Sequence, residues 1–326
     1  MAKLSLIHPL SVGPLQLPVN VLFAPLAGHS DFPYRAMCRR FHDGLLFCEM
    51  VKMEAILRGD ETSFRMLHYS ASMHPIGAQL CGSHPEYASA AAKIIEDMGF
   101  DVIDLNCGCP VDKVIDDGSG SGLLKTPHLI GDIIANMRSA VRIPVTLKVR
   151  AGWDEQHIII EELVHIAESA GAELMTVHGR TRKQGYRGEV NRAWIKAAKE
   201  EARTMKIIGN GDLFSAQAAL SMIQETGCDG VMIARGGMGQ PWLAEDIRQL
   251  DAAGAAPVRS AGELQEAFLS HFEETLAYED DERSLVDMRR VGCSYLGRMR
   301  QGRAVREAFS NAPSLQVMKE LFKQTS

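Results

Sequence analysis

The chain has 326 residues, of which 46% are hydrophobic and 23% charged, a composition typical of globular rather than disordered or fibrous proteins. No segment approaches the roughly 18 uninterrupted apolar residues of a membrane helix, and the proline-interrupted start does not resemble a secretory signal, so we expect a cytoplasmic protein without membrane contact. The net charge of −6 excludes a nucleic-acid-binding surface spread over the whole molecule but allows a local basic patch. An odd number of cysteines, seven, argues against a disulfide framework.

Eight short apolar segments alternate with stretches of helical character along the first 240 residues. In chain order they are residues 21–24, 45–47, 76–79, 102–106, 145–149, 174–177, 206–209 and 230–233. Short apolar strands that alternate with helices predict a parallel sheet buried on both faces. Eight such units predict an α/β fold, a (β/α)8 TIM barrel, with a doubly wound sheet as the alternative.

The composition changes at residues 251–257, whose sequence DAAGAAP is typical of a linker. Beyond it, Leu264, Phe268, Phe272 and Leu276 recur close to the helical period, and further helical segments are predicted around 283–300, 303–311 and 314–323. We therefore predict a barrel domain at 1–250, a linker at 251–257 and a smaller all-helical domain at 258–326.

Polar, charged or thiol groups lie at or just beyond the ends of most predicted strands. In chain order these stretches are 25–28 (PLAG), Gln79, 105–110 (LNCGCP), Lys148 with Arg150, 178–182 (HGRTR), 210–212 (NGD) and 234–237 (ARGG). The functional site of a TIM barrel lies at the carboxyl ends of its strands. The convergence of these groups therefore predicts a site at that end.

The last two of these loops suit a phosphate group. The glycines of 209–212 (GNGD) and 235–237 (RGG) let backbone N–H groups approach an anion, and Arg235 can bind it with two parallel hydrogen bonds. Tight turns alone are the alternative explanation for the glycines. We favour a phosphate, which could belong to a substrate or to flavin mononucleotide (FMN).

Lys148 interrupts an otherwise apolar strand, VTLKV at 145–149. Because side chains alternate along a strand, Lys148 and Thr146 face away from the three apolar neighbours. A lysine that points into the barrel mouth could hold a negative flavin edge or form a Schiff base, whereas a surface lysine is the alternative.

Cys107 and Cys109 could be metal ligands, buried inert thiols, or a catalytic acid or nucleophile. The sequence has no second Cys/His pair with zinc spacing, so we expect no metal. Cys109 is the better catalytic candidate because it lies beyond the strand, between Gly108 and Pro110. His178 could be a metal ligand, a proton donor, a phosphate ligand or a half-buried histidine without a role in chemistry.

With these residues assembled, nearly the whole chain resembles the tRNA-dihydrouridine synthase family. The segments that carry the resemblance are 24–28 (APLAG) followed by Asp31, 49–50 (EM), Gln79, 104–110 (DLNCGCP), 120–124 (GSGLL), 147–153 (LKVRAGW), 177–182 (VHGRTR), 209–212 (GNGD) and 232–236 (MIARG). The motif Asn106-x-Gly-Cys-Pro, followed downstream by Leu-Lys-x-Arg-x-Gly-Trp, is the most specific part of the resemblance to this family.

The resemblance implies FMN-dependent reduction of the uracil C5–C6 bond in tRNA to 5,6-dihydrouridine, with NADPH as the usual reductant. Hydride would pass from FMN N5 to C6, Cys109 would protonate C5, and Asn106 would orient the target base. The implied FMN contacts are Pro25, Leu26, Ala27, Gln79, Lys148 and His178, with Asn210, Gly211, Asp212, Ala234 and Arg235 around its phosphate. The helical domain would bind the tRNA.

Residues 283–306 contain seven arginines and one acid, which is a local net charge of +6. A solvated helix face is the ordinary explanation for such a run, but tRNA binding needs a patch of this kind. We expect substrate contacts from Arg150, Arg180, Arg289, Arg290, Arg298 and Arg300, and we expect a monomer. The alternative functions are a flavin barrel acting on a small molecule, such as a dihydroorotate-type dehydrogenase, a Schiff-base aldolase using Lys148, and a non-catalytic RNA-binding protein.

Overall fold

The computed structural model describes residues 5–299 and 303–323, and it confirms the barrel followed by C-terminal helices. The strands of the barrel are β3 (Val21–Phe23), β4 (Leu46–Lys52), β5 (Ile76–Cys81), β6 (Val102–Cys107), β7 (Val145–Arg150), β8 (Leu174–His178), β9 (Lys206–Asn210) and β10 (Gly230–Ile233). Every paired neighbour runs parallel, and β10 pairs with β3. Between β3 and β4 the ring is closed by the Phe23 N–H, which donates to the Leu45 carbonyl at 3.0 Å.

Two short strands that the sequence analysis did not predict precede the barrel. They are β1 (Leu10–Val12) and β2 (Leu15–Leu17), which form an antiparallel hairpin. Apolar side chains of this hairpin belong to the same buried cluster as Val102 and Leu174, the first residues of β6 and β8. The hairpin therefore covers the amino-terminal end of the barrel, and the opposite end is left to form a site.

Helices surround the sheet. They are α1 (Phe32–Arg39), α2 (Met53–Leu57), α3 (Glu61–Met66), α4 (Pro85–Asp97), α5 (Asp112–Ile115), α6 (Pro127–Ala140), α7 (Ile160–Ser169), α8 (Arg192–Glu201), α9 (Ala216–Thr226) and α10 (Leu243–Ala253). The start of α9 is capped by Ser215, whose hydroxyl accepts from the Ala218 N–H at 3.2 Å. Helix α10 continues to Ala253, so the segment without helix that follows it begins at Gly254, later than the predicted linker.

The C-terminal helices build a second apolar core. They are α11 (Ala261–Tyr278), α12 (Asp281–Arg298), α13 (Arg303–Ser310) and α14 (Leu315–Lys323). Phe268 of α11 stacks on Phe322 of α14 with ring centres 3.5 Å apart. Met37 and Trp242 from the barrel pack into the same core and join the two parts. In the part of the chain that the structure describes, no helix is long and apolar enough to cross a membrane.

Candidate active site

A cavity of about 430 Å³ opens at the carboxyl ends of the barrel strands. All eleven residues expected to contact FMN lie on its wall: Pro25, Leu26, Ala27, Gln79, Lys148, His178, Asn210, Gly211, Asp212, Ala234 and Arg235. Asn106, Cys109 and Arg150 lie on the same wall. The structure thus brings together groups that are spread over more than 200 positions of the sequence.

The loop that carries Cys109 is fixed by side chains on both sides. The Oδ1 atom of Asn106 accepts from the backbone N–H groups of Gly108 at 3.1 Å and Cys109 at 2.9 Å. Ser121 donates its hydroxyl to the Cys109 carbonyl at 2.8 Å, and Arg150 Nε donates to the Gly108 carbonyl at 2.9 Å. These contacts leave the direction of the loop little freedom, which suits a residue that must meet a substrate atom.

Burial distinguishes the two neighbouring cysteines. Cys107 ends β6 with no exposed surface, and burial raises the pKa of its thiol well above the ordinary value. Cys109 is partly exposed and lines the cavity. A Cβ placed on Gly120, where φ is +58°, would lie 3.0 Å from the Cys109 carbonyl oxygen, so glycine is required beside the loop. Cys109 is therefore the thiol available to a ligand in the cavity.

A chain of hydrogen bonds beneath the cavity sets the direction of two amides. Asp104 accepts from Thr146 Oγ1 at 2.6 Å and from Gln79 Nε2 at 2.7 Å, and Gln79 Oε1 accepts from Asn106 Nδ2 at 2.7 Å. Burial raises the pKa of Asp104 to about 6, so at neutral pH its ionised carboxylate only accepts. The amides of Gln79 and Asn106 are thus oriented before a ligand binds, and Asn106 Nδ2 keeps a second hydrogen to donate.

Lys148 brings a positive charge to the middle of the cavity wall. It lies opposite Asn106 in the pairing of β6 with β7. Burial, and secondarily the charge of Arg150, lowers the pKa of its ammonium group to about 8. The group is still mostly protonated at pH 7, but its charge is poorly stabilised by the protein. A negatively charged ligand would supply that stabilisation.

His178 is held neutral and close to Gly211. Burial, followed by the charges of Lys148 and other nearby cations, lowers its pKa well below the ordinary value. Arg180 Nη1 lies 3.4 Å from His178 Nε2, and since a guanidinium only donates, Nε2 accepts and the ring proton is on Nδ1. A Cβ on Gly211, where φ is +119°, would lie 2.8 Å from His178 Cδ2. Only glycine allows this close approach of the backbone.

Two arginines expected to bind substrate are almost fully buried and organise the loops of the cavity. Arg180, only 2% exposed, donates to both carboxylate oxygens of Asp212, at 3.0 and 2.5 Å, and Asp212 adopts a left-handed conformation with φ of +53°. Arg150, also 2% exposed, donates to the Thr181 and Gly185 carbonyls at 2.9 and 2.8 Å. Both residues brace loops, and of the two only Arg150 also reaches the cavity wall.

Two aromatic residues that the sequence analysis missed stand at the cavity mouth. Tyr186 and Phe214 are 57% and 42% exposed, and the Arg235 guanidinium lies 4.2 Å and 5.4 Å from their ring centres. Their sequence signal was an aromatic residue in the loop after a predicted strand, nine positions beyond residue 177 for Tyr186 and five beyond residue 209 for Phe214. They give the mouth a flat apolar surface beside a cation, which suits the stacking of a planar ring.

Arg289 and Arg290 of α12 make contacts within the protein. Arg289 Nη2 donates to the Ala312 carbonyl at 2.9 Å. Arg290 Nη2 lies 2.9 Å from Asp287 and 3.9 Å from Asp31, which belongs to the loop after β3. Both arginines are therefore half-buried and held by neighbours within the fold, and their expected contact with substrate stays a prediction.

Other arginines of this region differ in their surroundings. Arg298 Nη2 donates to the Gly236 carbonyl at 3.2 Å, whereas Arg303 is 87% exposed in its side chain and lies 2.6 Å from Glu307. Arg300, a further expected tRNA contact, lies outside the described residues. The local charge of +6 is thus partly neutralised by neighbours within the fold.

Comparison with known proteins identifies relatives over most of the chain. The family model "Dihydrouridine synthase (Dus)" matches residues 22–325. A probable tRNA-dihydrouridine synthase 1 of Synechocystis sp. is 35% identical over 322 residues, which cover 97% of this chain and 89% of the relative. The tRNA-dihydrouridine synthase B of Xanthomonas axonopodis pv. citri is 34% identical over 270 residues, which cover 82% of this chain and 81% of the relative.

Solved structures with the same architecture are more distant in sequence. Histamine dehydrogenase from Rhizobium sp. 4-9 has a TM-score of 0.59 at 14% identity, covering 82% of this chain and 51% of that chain. Morphinone reductase in complex with tetrahydroNAD has a TM-score of 0.56 at 14% identity, covering 80% of this chain and 94% of that chain. At such identities the likeness establishes the barrel fold alone.

Proposed function

This chain belongs to the dihydrouridine synthase family, and we propose that it reduces the C5–C6 double bond of specific tRNA uridines to 5,6-dihydrouridine, with bound FMN and with NADPH as reductant. The observation that carries the proposal is the cavity, where a partly exposed thiol, a half-buried lysine and an arginine-bearing loop line one wall. We further propose that the protein acts in the cytoplasm, where tRNA is found, and that it is a monomer.

The residues of the cavity fit a flavin mononucleotide. Around Gly211 the backbone comes so close to His178 that a Cβ would fill the space, and Arg235 stands beside it with its side chain 38% exposed. This combination of glycine backbone and guanidinium would hold the phosphate. Gln79, Lys148 and neutral His178 would hold the ring, together with residues 25–27. When bound, FMN reduced by NADPH supplies a hydride from N5 to uracil C6.

Cys109 would give the proton that C5 needs. Addition of a hydride at C6 leaves a negative charge shared by C5 and the neighbouring carbonyl, and a proton at C5 completes the saturated bond. Transfer from the thiol leaves a thiolate, which solvent reprotonates before the next turnover. The hydrogen bonds from Ser121, Arg150 and Asn106 to the loop fix where the sulfur stands.

Asn106 and Lys148 would stabilise the negative charge that develops on the uracil and on the flavin ring. The second Nδ2 hydrogen of Asn106 is available for a uracil carbonyl oxygen, and its direction is set by the Gln79 and Asp104 chain. The ammonium group of Lys148, whose charge the protein stabilises poorly, would stabilise a negatively charged edge of the flavin ring.

The target uridine must leave its stack to enter the cavity, at a cost of a few kcal/mol. In this proposal the helical C-terminal part offsets that cost by binding the tRNA backbone. Each described contact of Arg289, Arg290 and Arg298 uses one or two of the five guanidinium N–H groups, so each keeps donors for phosphate oxygens.

The test compares Cys109→Ala with Cys107→Ala in the full-length protein. Both variants should bind FMN and accept electrons from NADPH, because neither removes a residue assigned to the flavin. Dihydrouridine formation in tRNA should fall by about 10²–10⁴-fold in Cys109→Ala alone, the usual contribution of general acid catalysis.

Three results would overturn the proposal. The first is a protein that binds no added FMN, and the second is a Cys109→Ala variant as active as Cys107→Ala. The third is reduction of free pyrimidines without any requirement for tRNA, which would favour a small-molecule flavoenzyme instead.

A further inference from the structure

Helix α12 lies directly against a loop of the cavity. Gly239, in the segment after β10, has φ of +68°. A Cβ placed there would lie 2.5 Å from the Ser294 carbonyl carbon and 2.7 Å from the Tyr295 nitrogen. Backbone therefore packs on backbone at this point, and a shift of α12 would be transmitted to the loop.

Arg298, at the end of α12, holds the same loop closer to the cavity. It is partly buried, and its Nη2 donates to the Gly236 carbonyl at 3.2 Å. Gly236 in turn presses on the neighbouring loop, because a Cβ there would lie 1.8 Å from the Leu213 carbonyl oxygen. Arg298 thus supports, from outside, the two loops assigned to the FMN phosphate.

Arg290 approaches a different loop, the one after β3. It lies eight residues before Arg298 on α12, which is about 12 Å along the helix axis at 1.5 Å per residue. A Cβ on Gly28 would lie 3.3 Å from Arg290 Nη1, and Arg290 Nη2 is 3.9 Å from Asp31. From the other side, the Glu49 carboxylate accepts a hydrogen bond from the Gly28 N–H. The loop that carries residues 25–27 is thus held between β4 and α12.

Another arginine of α12 has different surroundings. The side chain of Arg283 is 54% exposed, and its described ion pair is with Glu279, 3.6 Å away within the helical part. The helix therefore carries both an outward arginine and two arginines aimed at cavity loops. A role limited to RNA binding does not explain why Arg290 and Arg298 contact these loops.

We propose that α12 is part of the cofactor site, with Arg290 and Arg298 as positioning residues that hold the two cavity loops in the conformation that binds FMN. The inference rests on the proposed function for the identity of the ligand. The C-terminal helices would then set cofactor affinity in addition to any contact with tRNA.

The experiment titrates full-length flavin-free protein with FMN and follows the quenching of flavin fluorescence. Arg290→Ala and Arg298→Ala should each raise the Kd at least tenfold, equivalent to about 1.4 kcal/mol. Arg283→Ala, which removes the same charge from the same helix, should stay within twofold of wild type. Arg298→Lys retains a cationic donor and should recover most of the loss.

A second variant tests the backbone contact of α12 independently of the arginine side chains, with the thermal unfolding of every variant measured alongside. Gly239→Ala pushes the loop away from α12 without changing charge, and it too should weaken FMN binding at least tenfold. Unchanged FMN affinity in Gly239→Ala would overturn the inference.

The competing outcome is distinct. In this outcome Arg290→Ala and Arg298→Ala bind FMN as tightly as Arg283→Ala, but each reduces by about one the slope of log tRNA affinity against log salt concentration. The two arginines would then be RNA contacts only, and the inference would be wrong. That result would leave the proposed function standing, whereas a wild-type protein that binds no FMN would overturn both.

Discussion

Replacement of Lys148 by methionine should make the flavin-free protein more stable. The pKa of Lys148 falls from 10.5 to about 8 on folding, chiefly because the ammonium group is buried. Each pKa unit is worth about 1.4 kcal/mol, so the charged side chain costs the folded protein roughly 3 kcal/mol at pH 7. Methionine has a similar length and no charge, and it removes that cost.

The effect should depend on pH in a defined direction. The folded-state pKa of Lys148 is lower than the unfolded value, so between pH 8 and 10.5 the unfolded chain binds more protons than the folded one. Wild-type stability therefore rises with pH in this window. The advantage of Lys148→Met should be complete below pH 8 and should shrink by about 1 kcal/mol between pH 7 and pH 9.

Urea unfolding of flavin-free protein at pH 7 and pH 9 measures both quantities, with Lys196→Met as the control. Lys196 is 57% exposed on α8, 3.8 Å from Glu200, so its replacement should change stability by less than about 0.5 kcal/mol. FMN affinity should fall in Lys148→Met and not in Lys196→Met. A Lys148→Met variant less stable than wild type at pH 7 would refute the reasoning.

Two further substitutions test the loops assigned to the phosphate. Gly211→Ala forces a side chain into positive φ and against His178, so we expect a loss of about 2–5 kcal/mol in stability and at least a tenfold weaker FMN Kd. Gly185→Ala, with φ of +58° and open space, should cost only about 1 kcal/mol. Arg180→Ala should lower the unfolding free energy by about 3 kcal/mol because a buried partner of a carboxylate is lost, while Arg182→Ala should cost under about 1 kcal/mol. Thermal unfolding and FMN titration check each pair, and equal effects within a pair would contradict the assignment.

The sequence predicted the barrel because the signal was local and repeated. Strand β9 shows this: its apolar core was visible in 206–209, and the structure extends it by one residue to Asn210. Strands of a buried parallel sheet need continuous apolar runs, so the positions of these runs in the sequence located all eight barrel strands. The hairpin of β1 and β2 was missed because each strand has only three residues and its partners, such as Leu174, are distant in sequence.

The candidate site was predictable as a set of positions but not as a set of roles. Arg180 and Arg182 are two residues apart in the same motif, and nothing local distinguishes them. In the structure Arg180 is buried against Asp212, while Arg182 pairs with Asp112 at 2.5 Å on a more exposed surface. The difference depends on where the loop after β9 lies, which is a tertiary property.

The same limit applied to Asn106 and its neighbours. The residue was expected to orient a base, yet its Oδ1 is occupied by the Cys109 loop and one Nδ2 hydrogen by Gln79. Asp104 is buried and contacts Asn106 only through Gln79, and in the sequence it stood out only as part of a motif. The chain of hydrogen bonds from the Asp104 carboxylate to the Cys109 loop requires β5, β6 and β7 to be paired in register. The sequence does not show that register.

The cavity concentrates positive charge in a protein whose net charge is −6. Lys148, Arg150, Arg180 and Arg235 all act to lower the pKa of His178, which shows that their fields overlap at one point. Three of them, Lys148, Arg150 and Arg235, line the cavity wall, where like charges repel one another and lose hydration, and a phosphate-bearing ligand relieves both costs. Lys148, whose buried charge weakens the flavin-free protein, thus also suits the cavity to an anionic cofactor. This is why substitution of Lys148 should move stability and cofactor affinity in opposite directions.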